Sequence, residues 1–320
     1  MPSVLVTGAA GALGSKLIAR LARAGDGAIV AADVREVAPQ ERLNGVCYLT
    51  ADVRDPRLAR LVAEHGIEVV VHLAAIVTPG PEDDREVQYS VDVGGTENVL
   101  RSCLEAGVRR LVVSSSGAAY GYHADHPEWL TEEHPLRGND EFAYARHKRL
   151  VEERLAGCRA EHPELEQVVF RIGTILGDGV RNQITELFDR PRLLGVRGGD
   201  DRFVFIWDED VAACLEQAVT SPVTGTFNLA GDGALSMTEL AARMGKPYLR
   251  LPASLVRAAL AVARPLGLTR YGPEQVDFVR YRPVLDNARL KEVFGFVPQK
   301  TSSEVFDFYL QSRGGRDGEA

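Results

Sequence analysis

The sequence predicts an α/β protein: a doubly wound parallel sheet carrying a smaller, mostly helical lobe. Three observations predict it. Over roughly the first 170 residues, apolar runs of strand length alternate with amphipathic helical stretches. Those runs are mostly Val, Ile, Leu and Ala without polar alternation, which is what a parallel sheet covered on both faces requires. After Gly173 the pattern loosens into loops and helices punctuated by proline.

The elements follow in order. SVLVTG is a first strand leading into a helix near LGSKLIARLARAG. AIVAAD and VCYLTAD are the second and third strands, with a helix after them near PRLARLVAEHG. EVVVHLAA is the fourth strand, and one helix is expected over EVQYSVDVGGTENVLRSCLEAG. RLVVSSS is the fifth strand, a helix carrying EFAYARHKRLVE follows, and QVVFRIG is the sixth. GDGVRNQITELFDRPRLLGVRGGDD mixes helix and loop, FVFIWDEDVAACLEQAV returns a strand and helix to the core, and GTFNLAG adds a short strand. From Ser236 onward the text is mainly helical, broken at Pro247, Pro252, Pro265, Pro273 and Pro283. Residues 1–172, rejoined by about 203–230, therefore form the sheet domain. Residues 173–202 and 231–312 form a lobe over the carboxyl edge of the sheet, and 313–320 (RGGRDGEA), without apolar content, is expected to be a disordered tail.

Composition narrows the function. A chain of 320 residues with 45% hydrophobic and 26% charged residues is ordinary for a globular protein with a large core. The net charge is −8 with both signs mixed along the chain, so no basic stripe points to nucleic acid. No apolar run reaches membrane-span length; the nearest, LVRAALAVARPLGL, is short and interrupted by arginines and Pro265. MPSVLVTG runs into the first expected strand with no charged n-region or cleavage signal, so no signal peptide is expected. Cys47, Cys103, Cys158 and Cys214 are widely spaced without a CxxC, as in a reducing compartment, so the expectation is a cytoplasmic protein with no metal site and no membrane partner.

Gly8, Gly11 and Gly14 lie directly after the first strand and before a helix. The first permits a tight turn, the second lets backbone approach a pyrophosphate, and the third lets the helix pack closely with its N-terminus toward the phosphates. Ala12 and Leu13 fill the same loop. Asp33 ends the second strand, 19 residues beyond Gly14, where a carboxylate accepts from both ribose hydroxyls of a dinucleotide and repels a 2′-phosphate. NAD is therefore expected over NADP, with Arg35 keeping NADP as the minor alternative. Asp52 and Val53 follow the third strand, where a carboxylate can accept from an adenine amine. Leu73, Ala74 and Ala75 end the fourth with small residues against which a cofactor can lie.

Tyr144 and Lys148 are four residues apart on a predicted helix, in a chain with only five lysines against 32 arginines. With 9 tyrosines in 320 residues, about 0.14 such pairs are expected by chance. A tyrosine hydroxyl ionises near pH ~10 in water and is a poor base at neutral pH. A neighbouring ammonium favours its phenolate, and a compact lysine head can also donate to two ribose hydroxyls, which a planar guanidinium does badly. Ser116, at the end of the fifth strand, is placed to orient a substrate oxygen.

These residues together resemble the extended short-chain dehydrogenases/reductases, the NAD-dependent epimerase/dehydratase family. The resemblance is carried by Thr7 to Gly14, Asp33, Asp52-Val53, HLAA, VDVGGTENVL, SSSGAAYG, Tyr144-x-x-x-Lys148 and DEDVA, and spans most of the chain. It implies a Rossmann fold, NAD in the glycine loop, Ser116, Tyr144 and Lys148 as the catalytic set, and a homodimer formed through helices near 85–107 and 141–160. The charged run RHKRLVEER gives that dimer no support of its own. Five positions depart from the family. Gly117 and Ala118 replace the acidic pair of the 4,6-dehydratases. Thr174, expected at the substrate, replaces a frequent asparagine. Phe203, beside Arg202, stands where sugar-nucleotide enzymes carry a diphosphate-binding arginine, and Asp92 stands where the family usually has asparagine. Arg280 and Arg282 could meet an anionic substrate or be solvated helix-end residues.

The expected function is hydride transfer at a secondary alcohol or ketone of a small molecule with Tyr144 as acid/base. A sugar-nucleotide 4-epimerase working through a transient ketone is the alternative, and a non-catalytic NAD-sensing protein is a weaker one.

Overall fold

The computed structural model describes all residues except 26, 78–83, 200–201, 270–271, 274 and 318–320, and omits the side chains of 314–317. The chain begins with β1 (Val4–Thr7), α1 (Ala12–Ala24), β2 (Ile29–Asp33), β3 (Val46–Thr50), α2 (Leu58–Glu64) and β4 (Val69–His72). It continues through α3 (Arg85–Tyr89), α4 (Gly95–Ala106), β5 (Arg110–Ser116), α5 (Ala143–Glu161) and β6 (Glu166–Ile172). The lobe is entered with β7 (Thr174–Leu176), α6 (Gln183–Phe188), β8 (Leu193–Val196), β9 (Arg202–Phe203) and β10 (Phe205–Trp207). α7 (Asp208–Thr220) and β11 (Gly225–Leu229) return to the sheet. The chain closes with β12 (Leu235–Ser236), α8 (Met237–Arg243), β13 (Tyr248–Leu251), α9 (Ala253–Ala263), α10 (Gln275–Arg280) and α11 (Ser302–Asp317).

The central sheet has seven strands in the order β11-β6-β5-β4-β1-β2-β3, every pair parallel. The order reverses at β1, which pairs with both β2 and β4, and this opens a crevice at the carboxyl ends of the strands. Both faces are buried, which accounts for the unbroken apolar strand text. On one face Val4, Val6, Val71 and Phe170 meet Leu17 and Leu21 of α1 and Val211 and Leu215 of α7. On the other Leu5, Val70, Leu111 and Val113 meet Val62 of α2, Val99 and Cys103 of α4, and Val151 and Leu155 of α5.

Three short strand pairs build the lobe: β7 with β10, β9 with β12 and β8 with β13. Its core joins Phe188, Phe203 and Phe205 to Phe306 and Tyr309 of α11. The alternating run Phe203–Ile206 divides between units, because Phe203 and Phe205 face the lobe whereas Ile206 faces the sheet core. Leu290, Phe294 and Phe296, expected in the lobe, also pack into the sheet core.

Two elements differ from the sequence expectation. The single helix expected over EVQYSVDVGGTENVLRSCLEAG is α3 and α4 joined by a π-helical turn, Ser90–Gly94. The expected tail at 313–320 is helical as far as Asp317, and 318–320 lie outside the described residues. Val305, Phe306 and Tyr309 anchor α11 in the lobe, and once a helix is nucleated each further residue adds a hydrogen bond at little cost. Among the described residues, no helix is long and apolar enough to cross a membrane.

Candidate active site

The loop after β1 is built for close approach. Gly8 has φ +72°, and a side chain there would bring Cβ within 2.7 Å of the Ala74 backbone nitrogen. A Cβ on Gly14 would meet the Ala9 Cα at 2.8 Å and collide with the Gly8 carbonyl. α1 starts at Gly11 with no side-chain cap and no acid in its first turn, so its N-terminal amides face the crevice free of a competing carboxylate. This is a cradle that fits a pyrophosphate. Asp33 closes β2, buried, and its Oδ2 accepts from the Ala10 N–H at 3.0 Å while Oδ1 accepts from the Arg35 N–H at 2.9 Å. Asp33 lines a small cleft with Ala9, Arg35 and Tyr48, at the position expected for an adenosine ribose. The Asp52 carboxylate is gripped by Arg54, with Nη2 to Oδ2 at 2.6 Å. That holds its pKa below the usual range and leaves the oxygens shared with a guanidinium.

At the other end of the crevice α5 delivers Tyr144 and Lys148 on one face. Lys148 is buried, its Nζ donating to the Ser114 carbonyl at 2.8 Å and lying 5.7 Å from the centre of the Tyr144 ring. Burial lowers the Lys148 pKa, while Asp92 and Glu152 act to raise it. Burial pushes the Tyr144 phenol up to about 12, with the Ser116 hydrogen bond pulling it down and the Asp92 charge adding to the rise. Ser116 ends β5 and caps the short turn Gly117–Tyr120, where its hydroxyl accepts from the Ala118 N–H at 3.2 Å.

A cavity of about 500 Å³ runs from the glycine loop to these three side chains. Gly8, Gly11, Ala12, Leu13, Gly14, Leu73, Ala75, Ser116, Tyr144, Lys148 and Thr174 all line it; Asp33, Asp52, Val53 and Ala74 do not. Beyond Tyr144 its wall is largely apolar, with Ile76, Ala118, Phe142, Phe278 and Leu285. Leu285 packs beside Gly117, where a Cβ would meet its methyls at 3.2 Å, so an acidic side chain at that position would have to displace Leu285. Phe203 is packed in the lobe core on Phe205, and Arg202 bridges Glu128 at 3.1 Å outside the cavity. Arg280 turns to the Gly198 carbonyl and lines a separate groove. Arg282 does enter the cavity, its guanidinium 4.5 Å from the ring centre of Phe203 and 4.8 Å from that of Phe278. It donates to the Thr174 hydroxyl at 3.4 Å, and burial lowers its pKa.

Sequence reasoning missed the groups behind the site. Glu152 and Arg171 form a buried pair (Nη2 to Oε2 2.7 Å) that fastens α5 to β6. His147 of α5 faces Asp92, both buried. A signal existed: His147 and Glu152 flank Lys148 on the helix, but within RHKRLVEER they read as a solvated charged face.

Residues 4–230 match the family model described as the NAD dependent epimerase/dehydratase family. An uncharacterized protein of Mycobacterium tuberculosis is 26% identical over 317 residues, covering 97% of this chain and 84% of that protein. The 3beta-hydroxysteroid-dehydrogenase/decarboxylase isoform 2 of Arabidopsis thaliana is 27% identical over 288 residues, covering 80% of this chain and 50% of that protein. The structure of the UDP-glucose 4-epimerase of Thermotoga maritima, solved with UDP-glucose, matches with a TM-score of 0.75 at 19% identity, covering 98% of this chain and 99% of that one. That likeness shows the fold, and several other similar structures were solved with NAD.

Proposed function

The chain belongs to the NAD-dependent epimerase/dehydratase family, and from that premise we propose that it is an oxidoreductase exchanging hydride at a secondary alcohol or ketone of a small molecule, with Tyr144 as acid/base. NAD is its cofactor, and it supplies the hydride chemistry at its nicotinamide ring. The observation that carries the reading is that Ser116, Tyr144 and Lys148 line one end of a cavity whose other end is the glycine loop.

The chain's own residues divide the work. The amides at the start of α1 hold the pyrophosphate, and Asp33 accepts from the ribose hydroxyls. Lys148 donates to the second ribose and favours the phenolate of Tyr144. Ser116 fixes the substrate oxygen against the tyrosine hydroxyl, which gives or takes the proton there. Thr174 and the lobe formed by 173–202 and 231–312 enclose the substrate. As in the family, the working form under this reading is a cytoplasmic homodimer.

A second reading is a sugar-nucleotide 4-epimerase, and Arg282 favours it. A guanidinium enclosed between aromatic rings and holding a long hydroxyl contact suits an anionic group brought by substrate. Dehydratase chemistry is disfavoured because Gly117 and Ala118 stand where the acidic pair would be. Mass spectrometry of small molecules released from the denatured protein separates the readings. Retained NAD together with a nucleotide sugar supports epimerisation; readily exchanged NAD supports net oxidoreduction. Near-normal turnover by Tyr144→Phe with any accepted substrate would overturn the acid/base role that both readings give to Tyr144.

A further inference from the structure

The π-helical turn between α3 and α4 carries Asp92, 3% exposed. Its two oxygens have different partners. Oδ1 accepts from the Ile76 N–H at 2.8 Å, in the stretch after β4 that walls the cavity. Oδ2 lies 3.0 Å from Nδ1 of His147, the residue immediately before Lys148 on α5. His147 is 2% exposed, and the Tyr89 ring meets it edge-on at 5.6 Å. One side chain thus ties the π turn, the exit of β4 and the catalytic helix together. A neutral amide of the same shape could make both contacts, so geometry alone gives no reason to bury a charge here, which costs several kcal/mol in desolvation.

We propose that Asp92 is a positioning residue acting through its charge as well as its contacts: it fixes the stretch after β4 against α5 and holds a negative charge behind Tyr144 and Lys148 that sets the pH range over which the tyrosine exchanges its proton. The proposal rests on the reading of Tyr144 as acid/base. Among the described residues, these groups face Asp92. α5 presents His147, Tyr144 and Lys148, with Glu152 one turn on and committed to Arg171. α3 presents Tyr89 through the His147 ring. β4 presents His72, which burial holds down to about 3 and which therefore stays neutral between the Thr7 and Thr96 hydroxyls.

The Asp92 charge favours the Lys148 ammonium, which burial disfavours, and opposes ionisation of Tyr144, which burial already opposes. Removing it moves both equilibria to lower pH together. The charge adds to burial in favouring the proton-donor form of the tyrosine, which suits delivery of a proton to a developing alkoxide.

The test follows the ionisation of Tyr144 directly. Ring-carbon NMR of tyrosine-labelled protein in the presence of NAD, with the resonance assigned by its loss in Tyr144→Phe, gives a midpoint without any turnover. Asp92→Asn is expected to lower that midpoint by about half a pH unit or more. Asp92→Glu, which keeps the charge, is expected to leave it within about 0.2 units while weakening NAD binding through the displaced contacts. If Asp92→Asn does not fold, the double variant Asp92→Asn, His147→Ser, a neutral and smaller pair, is expected to show the same downward shift. An unmoved midpoint in the uncharged variant, or equal shifts in Asp92→Asn and Asp92→Glu, would overturn the proposal. Absence of turnover with every substrate tried would instead sink the acid/base reading, and the titration tells the two failures apart.

Discussion

Lys148 is where the preference of this chain for arginine breaks, and its surroundings give the reason. Its Nζ reaches the Ser114 carbonyl from a buried position beside Tyr144, where a compact ammonium can serve several acceptors at once and a planar guanidinium does so badly. Lys148→Arg keeps the charge, yet it should lower turnover by about 10²-fold through misplacement at the reacting centre, with the melting temperature of the cofactor-free protein near wild type. Wild-type turnover and NAD affinity in that variant would reduce Lys148 to a packing residue. Asp33→Asn should weaken NAD and strengthen NADP in parallel titrations, because it removes both an acceptor and a repulsive charge. His72 makes a pH prediction. Its folded pKa, about 3, lies below its ordinary 6.5, so the neutral form contributes stability above pH 6.5 that is lost as pH falls toward 3. Thermal unfolding should show an acid-side decline in that window which His72→Gln flattens; parallel curves would contradict this account.

At the scale of the element, α5 explains how much of the site could be read in the sequence and why the rest could not. Tyr144 and Lys148 were legible because helical spacing alone puts them on one face. The glycine loop was legible because each of its roles is local to a strand-to-helix turn. The contacts of Asp92 with His147 and of Glu152 with Arg171 were not, since each joins residues far apart in sequence by a fold that one helix does not specify. RHKRLVEER has the composition of a solvated surface, yet His147, Lys148, Val151 and Glu152 are all buried, which is why the helix shows so little amphipathic pattern. Removing one partner of a buried ion pair leaves the other uncompensated, so Arg171→Met should cost about 3–5 kcal/mol of stability, measured by denaturant unfolding. A much smaller cost would mean that Glu152 finds water or a proton at no penalty.

At the scale of the whole molecule, the doubly wound sheet follows from the βα alternation, and the crevice follows from the reversal at β1, whereas the strand expected in FVFIW pairs outside the central sheet. The boundary between sheet and lobe was harder to read. A run with one face on each unit, as in Phe203–Ile206 across β9 and β10, has no single allegiance that its composition can announce.

The parallel pairing of β11 against β6 also bears on how the chain is made. β6 emerges from the ribosome long before β11, and the entire stretch 173–224 must follow before its open edge is covered. Throughout that interval a buried-type strand, EQVVFRI, presents unpaired backbone groups to any neighbouring nascent chain, and a parallel partner cannot be supplied by a quick hairpin. Two truncations that differ only in β11, residues 1–224 and 1–230, isolate the hazard. The shorter should partition to aggregates during synthesis and the longer should stay soluble in larger proportion; equal partitioning would show that the edge is protected by something other than its own last strand.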